Sequence, residues 1–179
     1  MKAILATLKD GQTLAIDGKL PWFDVPELKK ADMGLFRKFT KGKNLLMGRN
    51  TWLNDLNAKR LPGRGTHYIM SEDLVPGDCF VIQPAEDDPI LTSDKVCIGG
   101  KTIYDLVLPK CEQIFWSVIN METEPEGKRL KLDLSMDELI RIHGFDVQWC
   151  EAIPTKIPHV GVDFRVLYNT RLRRKYDLT

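Results

Sequence analysis

The feature that most constrains this chain is a succession of short apolar runs separated by stretches with helical spacing. Residues 2–8, 44–48, 67–70, 80–82, 96–98 and 113–119 are such runs, each with turn residues nearby. Continuous apolar runs of this length are expected of central strands buried on both faces. Between them, residues 27–39 place Leu28, Met33, Leu35, Phe36 and Phe39 at helical spacing, weakened slightly by Gly34. Residues 103–108 predict a short helix ended by Pro109, and Ser135-Met136-Asp137-Glu138 is a capping box that starts another at about Asp137. Strand character returns at 145–149 and 163–168. Alternating strands and helices followed by late antiparallel strands predict an α/β sheet with a mixed edge.

At 179 residues the chain is one domain's worth, and residues 1–179 are expected to form a single domain. Lys plus Arg is 26 against 25 Asp plus Glu, a net charge of +1, so no global field recruits nucleic acid or an anionic membrane. No apolar run could cross a bilayer, and the first ten residues reach charge too soon for a signal peptide. A cytoplasmic protein is expected. Cys79, Cys97, Cys111 and Cys150 form no CxxC pair and are expected to be reduced thiols. His67, His143 and His159 show no metal-ligand spacing, and no metal site is expected.

Two segments, 10–22 and 84–94, are expected to be surface loops of functional size. Gly99-Gly100 follows one predicted strand and precedes a helix, where a ligand can approach the backbone and an anion can meet free N–H groups. Tight strand-to-helix turns also use glycine for their own sake. Met47-Gly48-Arg49-Asn50-Thr51-Trp52 repeats the arrangement, with a cation and a hydroxyl opening the next helix. Two such turns at one end of neighbouring strands would form a single crevice suited to a phosphorylated cofactor. Asp32 shares a helix face with Leu35, Phe36 and Phe39. It lies either at the edge of that face or in an apolar pocket, where it would grip an amidine-like ring edge and tend to hold its proton.

Leu20-Pro21-Trp22, Asp32-Met33 with Phe36-Arg37 and Thr40, Leu46 to Trp52, Leu61-Pro62-Gly63-Arg64, and Ile98-Gly99-Gly100 with Tyr104 together resemble dihydrofolate reductase, in order and approximate spacing. The likeness runs to about residue 120. It implies a dihydrofolate-reductase-like α/β fold: a central mixed, mostly parallel sheet of about eight strands with flanking helices. It implies reduction of 7,8-dihydrofolate to tetrahydrofolate by NADPH, in support of thymidylate and one-carbon metabolism, by a monomer that engages neither nucleic acid nor membrane. By position, Asp32 would hold the pterin and help deliver a proton to N5, Trp22 would hold an ordered water beside it, and Leu20 would ride a mobile loop over the nicotinamide. Leu5, Ala6 and Thr7 would line the pterin pocket, with Met33, Phe36 and Leu56 further along it. Arg64 would pair with the α-carboxylate of the glutamate tail, and Ser117 would support Asp32 by hydrogen bonding. On the cofactor side, Ala6, Ala15 and Ile16 would approach the carboxamide; Gly48, Arg49, Asn50, Thr51 and Ser71 would hold phosphates and adenosine; and Ile98, Gly99, Gly100, Lys101, Thr102 and Tyr104 would cover the pyrophosphate and ribose.

Several positions depart from the pattern. Residues 23–31 lengthen the link from Trp22 to Asp32 and make Glu27 a rival carboxylate. Asp32 is preferred because Met33, Phe36, Arg37 and Thr40 then fall into register. Lys101-Thr102 stands where many members have glycine and arginine, so Lys101 would serve the phosphates. Residues 124–134 lack the Gly-Asp-Thr that usually touches the mobile loop. Competing readings are a riboflavin-pathway reductase of the same fold, a non-catalytic scaffold, and a nucleic-acid binder using Arg171, Arg173, Arg174 and Lys175.

Overall fold

The computed structural model describes residues 1–83 and 94–172. The expected loop at 84–94, apart from Asp94, and the basic residues Arg173, Arg174 and Lys175 lie outside the described residues. The first strand, β1 (Lys2–Leu8), is followed by β2 (Thr13–Ile16), α1 (Pro26–Thr40) and β3 (Leu45–Gly48). A single π-helical turn (Thr51–Asp55) leads to β4 (His67–Met70) and β5 (Phe80–Ile82). Then come β6 (Val96–Gly99), α2 (Lys101–Val107), a 3-10 turn (Leu108–Lys110) and β7 (Gln113–Asn120). The described part closes with β8 (Arg129–Lys131), α3 (Met136–His143), β9 (Phe145–Pro154) and β10 (Gly161–Asn169).

Eight strands form one sheet in the order β5-β4-β3-β6-β1-β7-β10-β9. All its pairings are parallel except those of β10, which runs antiparallel to both β7 and β9. This is the expected mixed, mostly parallel sheet. The strand order turns around β1, with β6, β3, β4 and β5 on one side and β7, β10 and β9 on the other. In such sheets the crevice at the carboxyl ends of the strands is the general ligand site.

The period-two alternation of strands sorts the core into two layers. Ile4, Leu45, Met47, Val96, Phe115 and Phe164 face α1, whose Leu35, Phe36 and Phe39 pack on them. The Phe39 ring stacks on Phe115 at 4.2 Å between centroids, a contact that contributes about 0.5–1.5 kcal/mol beyond area burial. Ala3, Leu5, Leu46, Cys97, Ile114 and Trp116 face the other way, against Ile103 and Val107 of α2 and Leu139 of α3. The polar end of α1 follows from its sequence. Pro26 opens the first turn, where its missing N–H costs nothing, and Gly42 follows the helix at φ 69°. In α3 the predicted capping box is complete: Ser135 Oγ accepts from the Glu138 N–H, and Glu138 Oε2 accepts from the Ser135 N–H.

Boundaries differ from expectation in a consistent direction. α2 begins at Lys101 rather than Ile103, β9 runs to Pro154 and β10 starts at Gly161. The larger difference is β2, which lies inside the expected loop 10–22 and pairs with β8 as a separate two-stranded sheet. Its Leu14 and Ile16 are buried. Four residues are too few to display a period, yet a signal was present. Asp17 and Gly18 have φ of 48° and 73°, and main-chain bonds join Ile16 and Lys19 in both directions. This is the Asp-Gly hairpin turn that matches strand twist.

Candidate active site

Asp32 sits on the inner side of α1, which packs against β1 and β10. Its Oδ2 accepts a hydrogen bond from Trp22 Nε1 at 2.9 Å. Trp22 is almost fully buried, packed with Leu8, Ile16, Leu28 and Ile119. The carboxylate is therefore both enclosed and addressed by one rigid donor. Burial pushes its pKa up, and the indole N–H pulls partly back by favouring the charged form. Trp22 thus reaches the carboxylate directly. Ser117 lies in β7 between Ala6 of β1 and Phe164 of β10, on the face that α1 covers. It makes no hydrogen bond to Asp32, whose side-chain donor is Trp22. The rival Glu27 is exposed, and its Oε2 accepts from the Lys156 N–H at the surface.

The two glycine turns meet as expected. β3 and β6 are parallel neighbours. A Cβ on Gly48 would lie 3.0 Å from Ile103 Cγ1 and 3.7 Å from the Gly100 nitrogen. A Cβ on Gly100 would touch Thr51 Oγ1 at 3.4 Å. Gly99 has φ 123°, the Gly99–Gly100 peptide is cis, and a Cβ there would press on the Tyr104 ring at 3.2 Å. The glycines thus form a cradle that side chains would fill. Arg49 and Asn50 are exposed at its rim, Thr51 is buried, and Ile98 and Thr102 flank it. Tyr104 ties this cradle to β1, because its hydroxyl donates to the Ile4 carbonyl at 2.7 Å. Burial raises the Tyr104 pKa well above its ordinary value, and the nearby Cys97, Asp32 and Asp55 add to the rise. Ser71 ends β4 on the same edge of the sheet, and its Oγ accepts from the Asp73 N–H at 3.2 Å.

Lys101 does not face the cradle. Its Nζ is held by Asp105, one helical turn on, and by Asp133 Oδ1 at 2.7 Å. The side chains of Leu5 and Thr7 lie on the face away from α1. Leu5 belongs to the layer beneath α2 and α3, and Thr7 Oγ1 accepts from Trp116 Nε1 at 2.9 Å. Alternation along β1 leaves Ala6 as the side chain on the α1 face. Ile16 is buried against Trp22, Ala15 is half-buried opposite Leu130, and Leu20 is exposed.

The far end of the cleft is basic. Arg64 donates from Nε and Nη2 to Thr40 Oγ1 at 3.1 and 2.8 Å, and from Nη1 to the Pro62 carbonyl at 2.6 Å. Its guanidinium lies 5.9 Å from the Phe36 ring centroid. Each Nη keeps a second N–H for an anion. Thr40 is fully buried and its hydroxyl donates to the Phe36 carbonyl at 2.7 Å, so its oxygen lone pairs are left to accept from Arg64. Met33 is exposed, and Leu56 is half-buried where the π-helical turn ends. Asp55, on that same turn, was not anticipated. Partial burial raises its pKa, and a lone aspartate between Asn54 and Leu56 carries no sequence signal.

Residues 124–134 do touch the loop that carries Leu20, by other means than Gly-Asp-Thr. Asp17 Oδ1 accepts from the Lys128 N–H at 2.9 Å, and the Asp17 N–H donates to the Lys128 carbonyl. Arg129 pairs with Glu124 at 2.8 Å and reaches Asp10 at 3.8 Å. Among the described residues, no helix is long and apolar enough to cross a membrane.

A mostly parallel sheet, with a carboxylate on the covering helix and a glycine cradle at the ends of β3 and β6, defines an α/β protein whose candidate site lies at the turning point of its strands. The chain belongs to the dihydrofolate reductase family, whose family model matches residues 1–135. It is 30% identical over 125 residues to the bifunctional dihydrofolate reductase-thymidylate synthase of Paramecium tetraurelia, covering 66% of this chain and 25% of that protein. It is 36% identical over 102 residues to the dihydrofolate reductase of Mycobacterium tuberculosis, covering 53% of this chain and 58% of that one. The fold is also that of the dihydrofolate reductase from Enterococcus faecalis solved with NADP(H) and RAB-propyl. That likeness has a TM-score of 0.70 and 21% identity, over 94% of this chain and 95% of the other.

Proposed function

We propose that the protein is an NADPH-dependent reductase that converts 7,8-dihydrofolate to 5,6,7,8-tetrahydrofolate. The observation that carries the reading is Asp32, an enclosed carboxylate with one indole donor, beside a glycine cradle and in line with a basic end at Arg64. Asp32 accepts hydrogen bonds from the pterin edge and, with its proton affinity raised by burial, supplies the acidic group for protonation at N5. Trp22 fixes the orientation of that carboxylate, and Ala6 leaves room for a flat ring against β1. Phe36 packs on the rings of the substrate, and Arg64 binds its carboxylate tail. Gly48, Thr51, Gly99 and Gly100 admit the cofactor backbone, with Arg49 offering charge to its phosphates. NADPH supplies the hydride that reaches pterin C6. The same reading takes it as a single-domain monomer acting in the cytoplasm, within one-carbon metabolism.

The test is NADPH oxidation with 7,8-dihydrofolate, comparing wild type with Asp32→Asn. Turnover that falls about 100-fold or more in the variant is the expected result. Undiminished turnover would transfer the role to another group. No turnover in a folded wild-type protein would favour a non-catalytic scaffold or a reductase of a different heterocycle.

A further inference from the structure

His67 opens β4 and is fully buried, unlike His143 and His159. Its ring bridges the two ends of the turn that carries Arg64. Nε2 lies 3.0 Å from the Leu61 nitrogen, whose N–H points at it, and Nδ1 lies 3.1 Å from the Gly65 carbonyl oxygen. A main-chain N–H can only donate and a carbonyl can only accept, so Nε2 must be the bare nitrogen and Nδ1 must carry the proton. The neutral ring in this one tautomer is a staple across residues 61–65. Trp52 packs beside it, at 5.8 Å between centroids. The charged groups facing it are Arg60 and Arg64 from the turn and Asp78 from the segment before β5. Asp78 is itself paired with Arg60 at 2.9 Å.

We infer that His67 is a positioning residue for Arg64, acting through the Leu61–Gly65 staple to set the affinity for the anionic tail of the substrate. The inference rests on the reading of Arg64 as the tail ligand. When a proton binds Nε2, that nitrogen becomes a donor facing the Leu61 N–H, and one side of the staple is lost. Burial and the two guanidiniums hold the His67 pKa below its usual value, so the staple is intact at neutral pH and opens on acidification. The pterin end of the cleft lies on other elements and does not depend on it.

The experiment measures KM for 7,8-dihydrofolate relative to that for 6-methyl-7,8-dihydropterin, which lacks the aminobenzoyl-glutamate tail, from about pH 8 down to about pH 5. Taking the ratio cancels titration of groups at the pterin end, Asp32 included. In the wild type the ratio rises about tenfold on acidification, the size expected for losing a hydrogen bond that positions a charged group. His67→Gln keeps an acceptor near the Nε2 position and cannot titrate, so its ratio stays low and flat. His67→Leu leaves the Leu61 N–H unpaired, while the Gly65 carbonyl keeps its bond from Arg60 Nη2 at 2.8 Å, and gives a high ratio at every pH, with kcat within about twofold of wild type. A flat wild-type ratio, or a His67→Leu effect of equal size on both substrates, overturns the inference. Hydrogen exchange at the Leu61 amide decides the staple without turnover. Its protection factor falls in acid in the wild type and holds in His67→Gln; protection that ignores pH overturns the staple itself. A protein that turns over neither substrate refutes the functional reading instead, and the Leu61 amide still reports on His67.

Discussion

Replacing Trp22 by phenylalanine removes the one side-chain donor that addresses Asp32, the Nε1 contact of 2.9 Å, while keeping an aromatic ring in the pocket. Two influences set the carboxyl: burial raises its proton affinity, and the indole N–H lowers it. Only the second is deleted. A hydrogen bond to a charged group contributes about 1.5–3 kcal/mol, and one pKa unit corresponds to about 1.4 kcal/mol. Part of that bond is kept by the neutral acid, so a rise of about one unit in the Asp32 pKa is expected. The protonated form is the one that can give a proton, so activity falls as pH rises through this pKa. In Trp22→Phe that falling limb moves up by about one pH unit, while the maximal rate drops because the pocket is looser. Ser117→Ala, which touches no bond of Asp32, leaves the limb where it is. The assay is the pH profile of NADPH oxidation at saturating substrates, with a melting curve to show that the variant is folded. Burial of Trp22 makes a stability loss of about 1–2 kcal/mol expected from the smaller ring. A limb that stays put or moves down in Trp22→Phe would refute the account of how Asp32 is tuned, whatever the rate does.

Three further substitutions follow from the same geometry. Asp32→Asn should raise the melting temperature at neutral pH while removing activity. The folded pKa is raised, so the folded state binds the proton more tightly than the unfolded chain; the contribution of Asp32 to stability is greatest in acid and is lost as pH rises through the folded pKa. A neutral amide escapes that loss, worth about 2–4 °C per kcal/mol in a chain of this size, and the gain should vanish at acid pH. Thr40→Val keeps the shape but removes the oxygen that accepts from Arg64 Nε and Nη2. KM for dihydrofolate should rise about tenfold with kcat unchanged, measured by initial rates. Lys101→Ala should change the NADPH dissociation constant by less than about twofold, because Asp105 and Asp133 already occupy its ammonium, whereas Arg49→Ala should weaken binding about tenfold by fluorescence titration.

The strands were legible because they are buried on both faces. A run such as Gln113-Ile114-Phe115-Trp116-Ser117-Val118-Ile119 needs no periodicity to be recognised, and its neighbours in the sheet have the same character. The β2–β8 sheet was not legible by that rule, since its burial comes from cross-strand pairing of pieces too short to show a pattern. The hairpin turn at Asp17 and Gly18 is the one local clue, and the glycines and proline around it give the whole segment the composition of a loop. Helix ends were misplaced where the chain continues helical without apolar residues, as at Lys101 and Thr102.

The site divides along the same line. Position in a motif located the backbone-level features well: the paired glycine turns, the helix bearing Asp32 and the arginine turn lie on the elements expected of them. What it could not supply is which partner each polar side chain takes, since that depends on contacts between distant segments. Lys101 carries the right charge in the right place, yet Asp133, 32 positions away, captures it. Thr7 lies near the end of the right strand, but Trp116, 109 positions away, donates to its hydroxyl on the face away from α1. Thr40 and His67 run the other way, one a helix-end residue and the other a strand-start residue, joined through Arg64 and the turn that carries it. A basic residue in a motif therefore marks a ligand site only once its nearest carboxylates are known. Arg64 passes that test, because it bonds a hydroxyl and a carbonyl and no carboxylate among the described residues neutralises its charge. Lys101 fails it, which is why the two cations should part company when each is replaced by alanine.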